Sequence, residues 1–116
     1  MDGGSYFERA TCLNVTVTCT EKLMAITFTP EMNFKGKLYL QGYSEHSECY
    51  SVGQGYRMVM LKIPLLDQHC GLTVARSKGL NNRTLLSANM VLQYNPLIQA
   101  QGDRLIRVGC IFSNDN

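Results

Sequence analysis

The stretch LNVTVTC, residues 13–19, alternates apolar and polar side chains, and this alternation decides the class of fold. Successive side chains of a β-strand point to opposite faces of a sheet, so a period of two predicts a half-buried strand rather than a helix. The alternation places Val17 and Cys19 on the buried face and Asn14 on the solvent face. Residues 13–19 are therefore predicted to form a strand with one face in a core.

Similar patterns recur along the chain and predict further strands. These strands cover residues 22–29, 35–41, 57–63, 70–74, 84–94 and 104–112. In the last of them, Ile106, Val108 and Cys110 share one face. Residues 43–56 are polar and contain glycines, which predicts a long loop. Seven or eight short strands separated by turn signals indicate an all-β fold, an antiparallel β-sandwich.

Length and composition fit a single domain of this kind. The chain has 116 residues, and its 45% hydrophobic content is enough for a core. Its net charge of +2 comes with scattered lysines and arginines, which argues against nucleic-acid binding. No stretch reaches the roughly 18 apolar residues of a membrane span.

The two ends of the chain are predicted to lie outside the domain. Residues 1–11 are polar and Gly-rich, which predicts a flexible segment. This segment lacks the apolar core of a signal peptide. The predicted domain covers residues 12–113, and residues 114–116 form a tail. If the protein is secreted, we expect this chain to be a piece of a longer one.

Five cysteines in so short a chain indicate an oxidising compartment. They are Cys12, Cys19, Cys49, Cys70 and Cys110. No two of them have the C-x-x-C spacing of a zinc knuckle or a redox motif. Cysteines that are dispersed through a strand-rich domain are typical of disulfides, and disulfides are typical of secreted proteins.

The strand pattern favours one pairing of four of these cysteines. Cys19 and Cys110 both fall on the inward face of a terminal strand, whereas Cys49 and Cys70 flank one strand and its loops. Four cysteines allow three connectivities, and the sequence alone does not choose among them. Cys12 is then left over, and it either pairs with another segment or chain or remains an unpaired thiol.

Two acceptor sequences for N-linked glycans agree with an extracellular location. Residues 14–16 read NVT and residues 82–84 read NRT, so that Asn14 and Asn82 are the candidate sites. Because Asn14 is predicted on the solvent face of its strand, a sugar has room there.

Several stretches together resemble a known family. They are residues 17–20, 24–26, 36–42, 61–65, 70–71, 91–96, 102–104 and 107–110. The most specific of them reads VLQYNP at residues 91–96, followed by GDR and RVGC. The pattern is similar to the N-terminal half (ZP-N) of the zona pellucida module of invertebrate proteins from cuticle and other apical extracellular matrices. It runs from about Cys12 to Phe112, nearly the whole chain.

The resemblance implies a fold, a disulfide pattern and a function. The family has an immunoglobulin-like β-sandwich and pairs its first cysteine with its fourth and its second with its third. Carried over, these bridges are Cys19–Cys110 and Cys49–Cys70, while Cys12 has no counterpart. The implied function is non-catalytic: the protein polymerises into filaments of an apical extracellular matrix and needs no cofactor. The resemblance also implies that its precursor is membrane-anchored. The C-terminal half of the module is absent from this chain, so we expect an isolated ZP-N domain.

Outward apolar residues on two strands are the candidate interface. Met58 and Met60 face opposite to the inward residues of their strand, and Leu105 and Ile111 do the same in theirs. Edge strands of a sandwich can pair with another copy, so we expect self-association or association with other zona pellucida proteins, without membrane insertion by this domain. The alternative is that these residues pack under loops or on the second sheet.

Two other classes of function remain as alternatives. A recognition module would bind a different protein or a receptor through the loop that contains Tyr43, Tyr50 and Tyr56. A zinc site would combine His46, Cys49, His69 and Cys70. Adjacent residues such as His69 and Cys70 point to opposite faces of a strand, and bridged cysteines offer no thiolate, so zinc is disfavoured. The sequence has no G-x-S-x-G, phosphate-loop or H-E-x-x-H motif, and it predicts no enzyme.

Overall fold

The computed structural model describes residues 5–6, 14–77, 79, 82–95 and 103–113. Within these residues it contains nine strands and one 3-10 helix, which spans Leu66–Gly71. The strands are β1 (Ser5–Tyr6), β2 (Val15–Cys19), β3 (Leu23–Phe28), β4 (Lys37–Leu40), β5 (Tyr50–Val52), β6 (Val59–Pro64), β7 (Thr73–Ser77), β8 (Arg83–Gln93) and β9 (Arg104–Ser113). No helix among the described residues is long and apolar enough to cross a membrane.

The strands form two antiparallel sheets. The larger sheet has six strands in the order β1-β9-β8-β4-β5, with β7 also paired to β8, and the smaller has the order β2-β3-β6. Strand β8 is long enough to change partners along one edge. Its residues 83–87 pair with β7, and its residues 90–93 pair with β4. This architecture confirms the prediction of an all-β fold and is compatible with an immunoglobulin-like sandwich.

The core lies between the two sheets, and the inward face of each strand follows the period of two. Val15 and Val17 are buried in β2, while Thr16 and Thr18 are exposed. Side chains from the other strands meet them from both sheets. The largest of these that are fully buried are Met24, Ile26, Phe28, Leu38, Leu40, Ile63, Met90, Leu92, Val108 and Cys110. The alternation therefore predicted the buried face of β2 correctly, but the strand begins only at Val15, so that Asn14 precedes it, and Leu13 lies outside the described residues.

Two predicted elements were wrong. The predicted loop over residues 43–56 contains strand β5, which extends the large sheet by pairing with β4. The predicted strand over residues 70–74 begins only at Thr73. Cys70 and Gly71 have φ angles of 61° and 71°, a left-handed conformation that ends the 3-10 helix and cannot continue an extended strand.

The last two long strands agree with their predicted positions. In β9, the predicted inward residues Ile106, Val108 and Cys110 are buried. In β8, Met90 is fully buried, whereas Tyr94, the last residue of the predicted strand 84–94, follows the end of the observed strand and is exposed.

Only one part of the predicted flexible segment 1–11 is described. Ser5–Tyr6 pairs with β9, opposite Ile111 and Cys110. The flexibility of that segment and the domain bounds 12–113 and 114–116 remain predictions.

Candidate functional site

A disulfide joins the two sheets of the sandwich. Cys19 ends β2 in the small sheet and Cys110 lies in β9 of the large sheet, with their Cα atoms 5.9 Å apart. Cys110 is fully buried, and the inward phase of β9 turns its sulfur toward the core. This bridge is the one that the strand pattern favoured, and it is confirmed.

A second disulfide fixes the loops on one side. Cys49 precedes β5 and Cys70 lies in the 3-10 helix, with their Cα atoms 5.5 Å apart. Both cysteines are buried. The bridge holds the helix against the start of β5, and this pairing is also confirmed.

The four residues of the zinc alternative do not form a metal site in the described part of the chain. The sulfurs of Cys49 and Cys70 are bonded to each other. His69 Nδ1 lies 3.8 Å from Glu48 Oε1, and the ring of His46 packs 5.0 Å from that of Tyr43. The described residues contain no group of three or more potential metal ligands.

The three tyrosines of the predicted recognition loop have different surroundings. Tyr43 is half-buried against the core. Tyr50 lies in β5, where the Lys37 ammonium sits 4.4 Å from the centre of its ring. Tyr56 is 68% exposed beside Phe34, whose backbone N–H donates to its carbonyl oxygen. Nothing in this arrangement makes the tyrosines one surface.

The candidate interface residues face away from the core, as their phase predicted. Met58, Met60 and Leu105 are exposed, and Ile111 is half-buried. Met60 lies on the outer face of the small sheet opposite Thr27. Leu105 and Ile111 lie on the outer face of the large sheet. Their role in an interface remains a prediction.

The outer face of the large sheet also carries a polar network that the sequence did not reveal. The Arg107 guanidinium donates to Ser87 Oγ at 2.8 Å and to Asn89 Oδ1 at 3.2 Å. Asn89 in turn donates to Gln41 Oε1 at 3.2 Å. Ser87 is only 1% exposed although its position points outward. These bonds cross the point where β8 changes its partner from β7 to β4.

A second outward pair is buried next to this network. The Tyr39 hydroxyl donates to Gln93 Oε1 at 3.0 Å, and both side chains are less than 9% exposed. Burial raises the pKa of the Tyr39 phenol above its usual value of 10.0, and the negative charge of Asp103 raises this pKa further.

A pocket opens at the end of the sandwich where β3 finishes. It has a volume of about 460 Å³ and is lined by Asn14, Phe28, Pro30, Glu31, Met32, Asn33, Phe34 and Tyr94. The ring of Phe34 stands edge-on to Phe28 at 5.1 Å and to Tyr94 at 5.8 Å. Residues 30–34 lie between the predicted strands 22–29 and 35–41, and no site was predicted there. The apolar residues Met32 and Phe34 in this segment were the available sequence signal for the pocket.

The remaining candidate residues are either exposed or outside the described part of the chain. Asn14 and Asn82 are both exposed. Asn14 has a φ angle of 57°, a left-handed conformation that asparagine tolerates better than most residues. Glycosylation of both residues remains a prediction. Cys12 lies outside the described residues.

The fold and these surfaces define a class of protein. Two antiparallel sheets joined by a disulfide describe a disulfide-bonded β-sandwich of immunoglobulin-like type, a class that is common among extracellular domains. The chain belongs to the family of the cuticlin N-terminal domain, whose model matches residues 14–112.

Three curated proteins of Caenorhabditis elegans are similar to this chain. Cuticlin-4 is 24% identical over 96 residues, which cover 83% of this chain and 18% of that protein. Cuticlin-3 is 25% identical over 97 residues and Cuticlin-1 is 24% identical over 97 residues. These matches cover 83% of this chain in each case, and 24% and 22% of the two relatives. The chain thus spans at most about a quarter of the length of these relatives. No solved structure matches it.

The family match confirms the resemblance to a cuticle-type matrix domain. The more specific assignment to the zona pellucida module remains a prediction.

Proposed function

We propose that this domain is a non-catalytic structural unit that assembles, with copies of itself or with other zona pellucida proteins, into filaments of an apical extracellular matrix. The observation that carries the proposal is the match to the cuticlin N-terminal domain over residues 14–112, which includes both disulfides. A membrane-anchored precursor is part of the same proposal.

The disulfides support an extracellular structural role. Bridges of this kind persist in oxidising compartments, and the pair Cys19–Cys110 holds the two sheets together. A unit that is covalently fixed in this way can carry load in a matrix without depending on its core alone.

The strand edges and their apolar side chains support assembly. Within the described residues, β6 pairs only with β3 and is therefore an edge of the small sheet. An edge strand offers unpaired backbone N–H and C=O groups to another chain. Met60 on this strand adds exposed apolar area beside such groups, and Leu105 adds exposed apolar area on the outer face of the large sheet.

Sedimentation velocity tests the proposal. The oxidised domain is measured over a wide range of concentration, and the Cys12→Ser variant serves as the matched control that separates covalent from non-covalent association. We expect the sedimentation coefficient to rise with concentration in both chains. A monomer at every concentration, both oxidised and reduced, would contradict self-association of this domain.

Non-reducing peptide mapping of natively produced protein that has never been reduced tests the compartment. We expect the two bridges Cys19–Cys110 and Cys49–Cys70 to be recovered intact. Recovery of all five thiols free would contradict an extracellular matrix domain.

A further inference from the structure

Exposed apolar side chains gather around the pocket at one end of the sandwich. The described residues include eight large hydrophobic side chains that are exposed, and four of them, Met32, Tyr56, Met58 and Tyr94, lie at this end. Met32 and Tyr94 line the pocket itself. Tyr56 forms a bridge with the pocket residue Phe34. We call this region the pocket end, and its apolar exposure marks it as an interaction surface.

The pocket has a preformed apolar wall. Phe28 and Phe34 are 2% and 3% exposed, so their rings form part of the core as well as the floor of the pocket. The backbone at Gly53 packs closely against Phe34. A Cβ atom added at Gly53 would overlap the carbonyl oxygen and the ring of Phe34. A volume of about 460 Å³ accommodates a side chain from a partner.

The rim of the pocket carries one negative charge. Glu31 is the only charged residue among those that line it, and it is exposed. The polar residues Asn14 and Asn33 complete the rim. A complementary partner would therefore bring an apolar side chain with a cation beside it.

This chain presents such a pair at the same end. Arg57 and Met58 are adjacent and exposed, directly before β6. The first residue of β6, Val59, pairs with Phe28, which lines the pocket. Met58 is 57% exposed and is not part of the pocket of its own chain. A methionine thioether is flexible and packs well against aromatic rings, so it suits a wall of Phe and Tyr.

We propose that the pocket end binds the pocket end of a second copy of this chain, with Met58 of each copy in the pocket of the other and Arg57 beside Glu31. The side chain that inserts, Met58, and the pocket that receives it lie at the same end of each chain. A twofold axis therefore makes the two contacts identical and closes the dimer. The inference rests on the proposed self-association and names its surface.

A sugar on Asn14 would obstruct this contact, because Asn14 lines the pocket. The parent chain for the test therefore carries Thr16→Val, which removes the acceptor sequence and leaves Asn14 itself unchanged. Thr16 is exposed on β2, and valine is well suited to a strand. The parent also carries Cys12→Ser, so that only non-covalent association is measured.

Charge reversal across the proposed contact is the test. In sedimentation equilibrium we expect Glu31→Arg and Arg57→Glu each to weaken the dimer about tenfold or more, because the symmetric interface contains two such exposed pairs. The double variant should regain the affinity of the parent. Met58→Ser should weaken the dimer as well. Leu66→Ser is the matched control, because Leu66 is 60% exposed in the 3-10 helix beyond the opposite end of β6 and should change nothing.

The outcomes separate this inference from the proposed function. If the parent associates but the charge reversals leave the affinity unchanged, or the double variant fails to regain it, the pocket end is not the interface and the self-association stands. If the parent is monomeric at every concentration, both this inference and non-covalent self-association of the domain fail, whereas assembly with other zona pellucida proteins is a separate part of the proposed function. Circular dichroism of each variant checks that these exposed substitutions leave the fold intact.

Discussion

The two disulfides enclose loops of different length, so their removal should destabilise the domain by different amounts. Cys19 and Cys110 are separated by 91 positions in the sequence, and Cys49 and Cys70 by 21. In the chain-entropy model a bridge restricts the unfolded chain by an amount that grows with the logarithm of the loop length. The model gives about 4.6 kcal/mol for the long loop and about 3.3 kcal/mol for the short one at room temperature.

Urea unfolding followed by circular dichroism measures both values. The variants are Cys19→Ala with Cys110→Ala, and Cys49→Ala with Cys70→Ala. Both are made in a Cys12→Ser chain, which is the reference and has no spare thiol to rearrange the bridges. Alanine is chosen because Cys49, Cys70 and Cys110 are buried, and a serine hydroxyl would need a hydrogen-bond partner there.

We expect the loss of the bridge between the sheets to lower the free energy of unfolding by about 1.3 kcal/mol more than the loss of the other bridge. Both losses are a large part of the 5–15 kcal/mol or so that stabilises a typical domain. An equal or larger loss for the pair Cys49 and Cys70 would refute the argument from loop length. It would mean that local packing around the 3-10 helix decides what that bridge contributes.

Three further predictions concern the region around Gln93. Tyr39→Phe removes a buried hydrogen bond to Gln93 and should lower the free energy of unfolding by about 1 kcal/mol in urea; no change would contradict that bond. Because burial and then Asp103 raise the pKa of Tyr39 above 10.0, its contribution should be complete below pH 10 and be lost as the pH rises through the raised value. Ultraviolet titration of the wild type against Tyr39→Phe checks this, and a Tyr39 that titrates at its usual pKa would contradict it. Gly36→Ala should cost about 1–3 kcal/mol in the same assay, because the new Cβ would overlap the Gln93 carbonyl oxygen and the Phe34 ring; full stability would show that this contact is loose.

The core and the surface of this domain have separate roles. The inward residues and the two disulfides stabilise the sandwich fold, and the same fold serves many unrelated functions in other proteins. Assembly depends instead on a few outward residues, such as Met58 and Glu31, whose substitution leaves the core untouched. Substitutions at exposed positions should therefore change assembly, whereas substitutions at buried positions should change stability.

The sequence determined those features that depend on neighbours along the chain. The alternation in residues 13–19 and 104–112 was enough to identify the buried face of β2 and β9, because a strand turns successive side chains to opposite faces whatever its partners are. The same phase favoured the bridge Cys19–Cys110, since both cysteines had to face inward.

Other features depend on residues that are far apart in the chain, and they follow from packing between distant segments. Residues 43–56 carry too many polar residues and glycines to predict a strand, yet β5 forms there because β4 offers it an edge. Ser87 and Gln93 stand at outward positions and are still buried, because Arg107 and Tyr39 from neighbouring strands cover them. The pocket likewise exists only where β3, the connection to β4 and the end of β8 meet. Its walls come from Phe28, Phe34 and Tyr94, and packing between distant segments, rather than any local pattern, brings these three rings together.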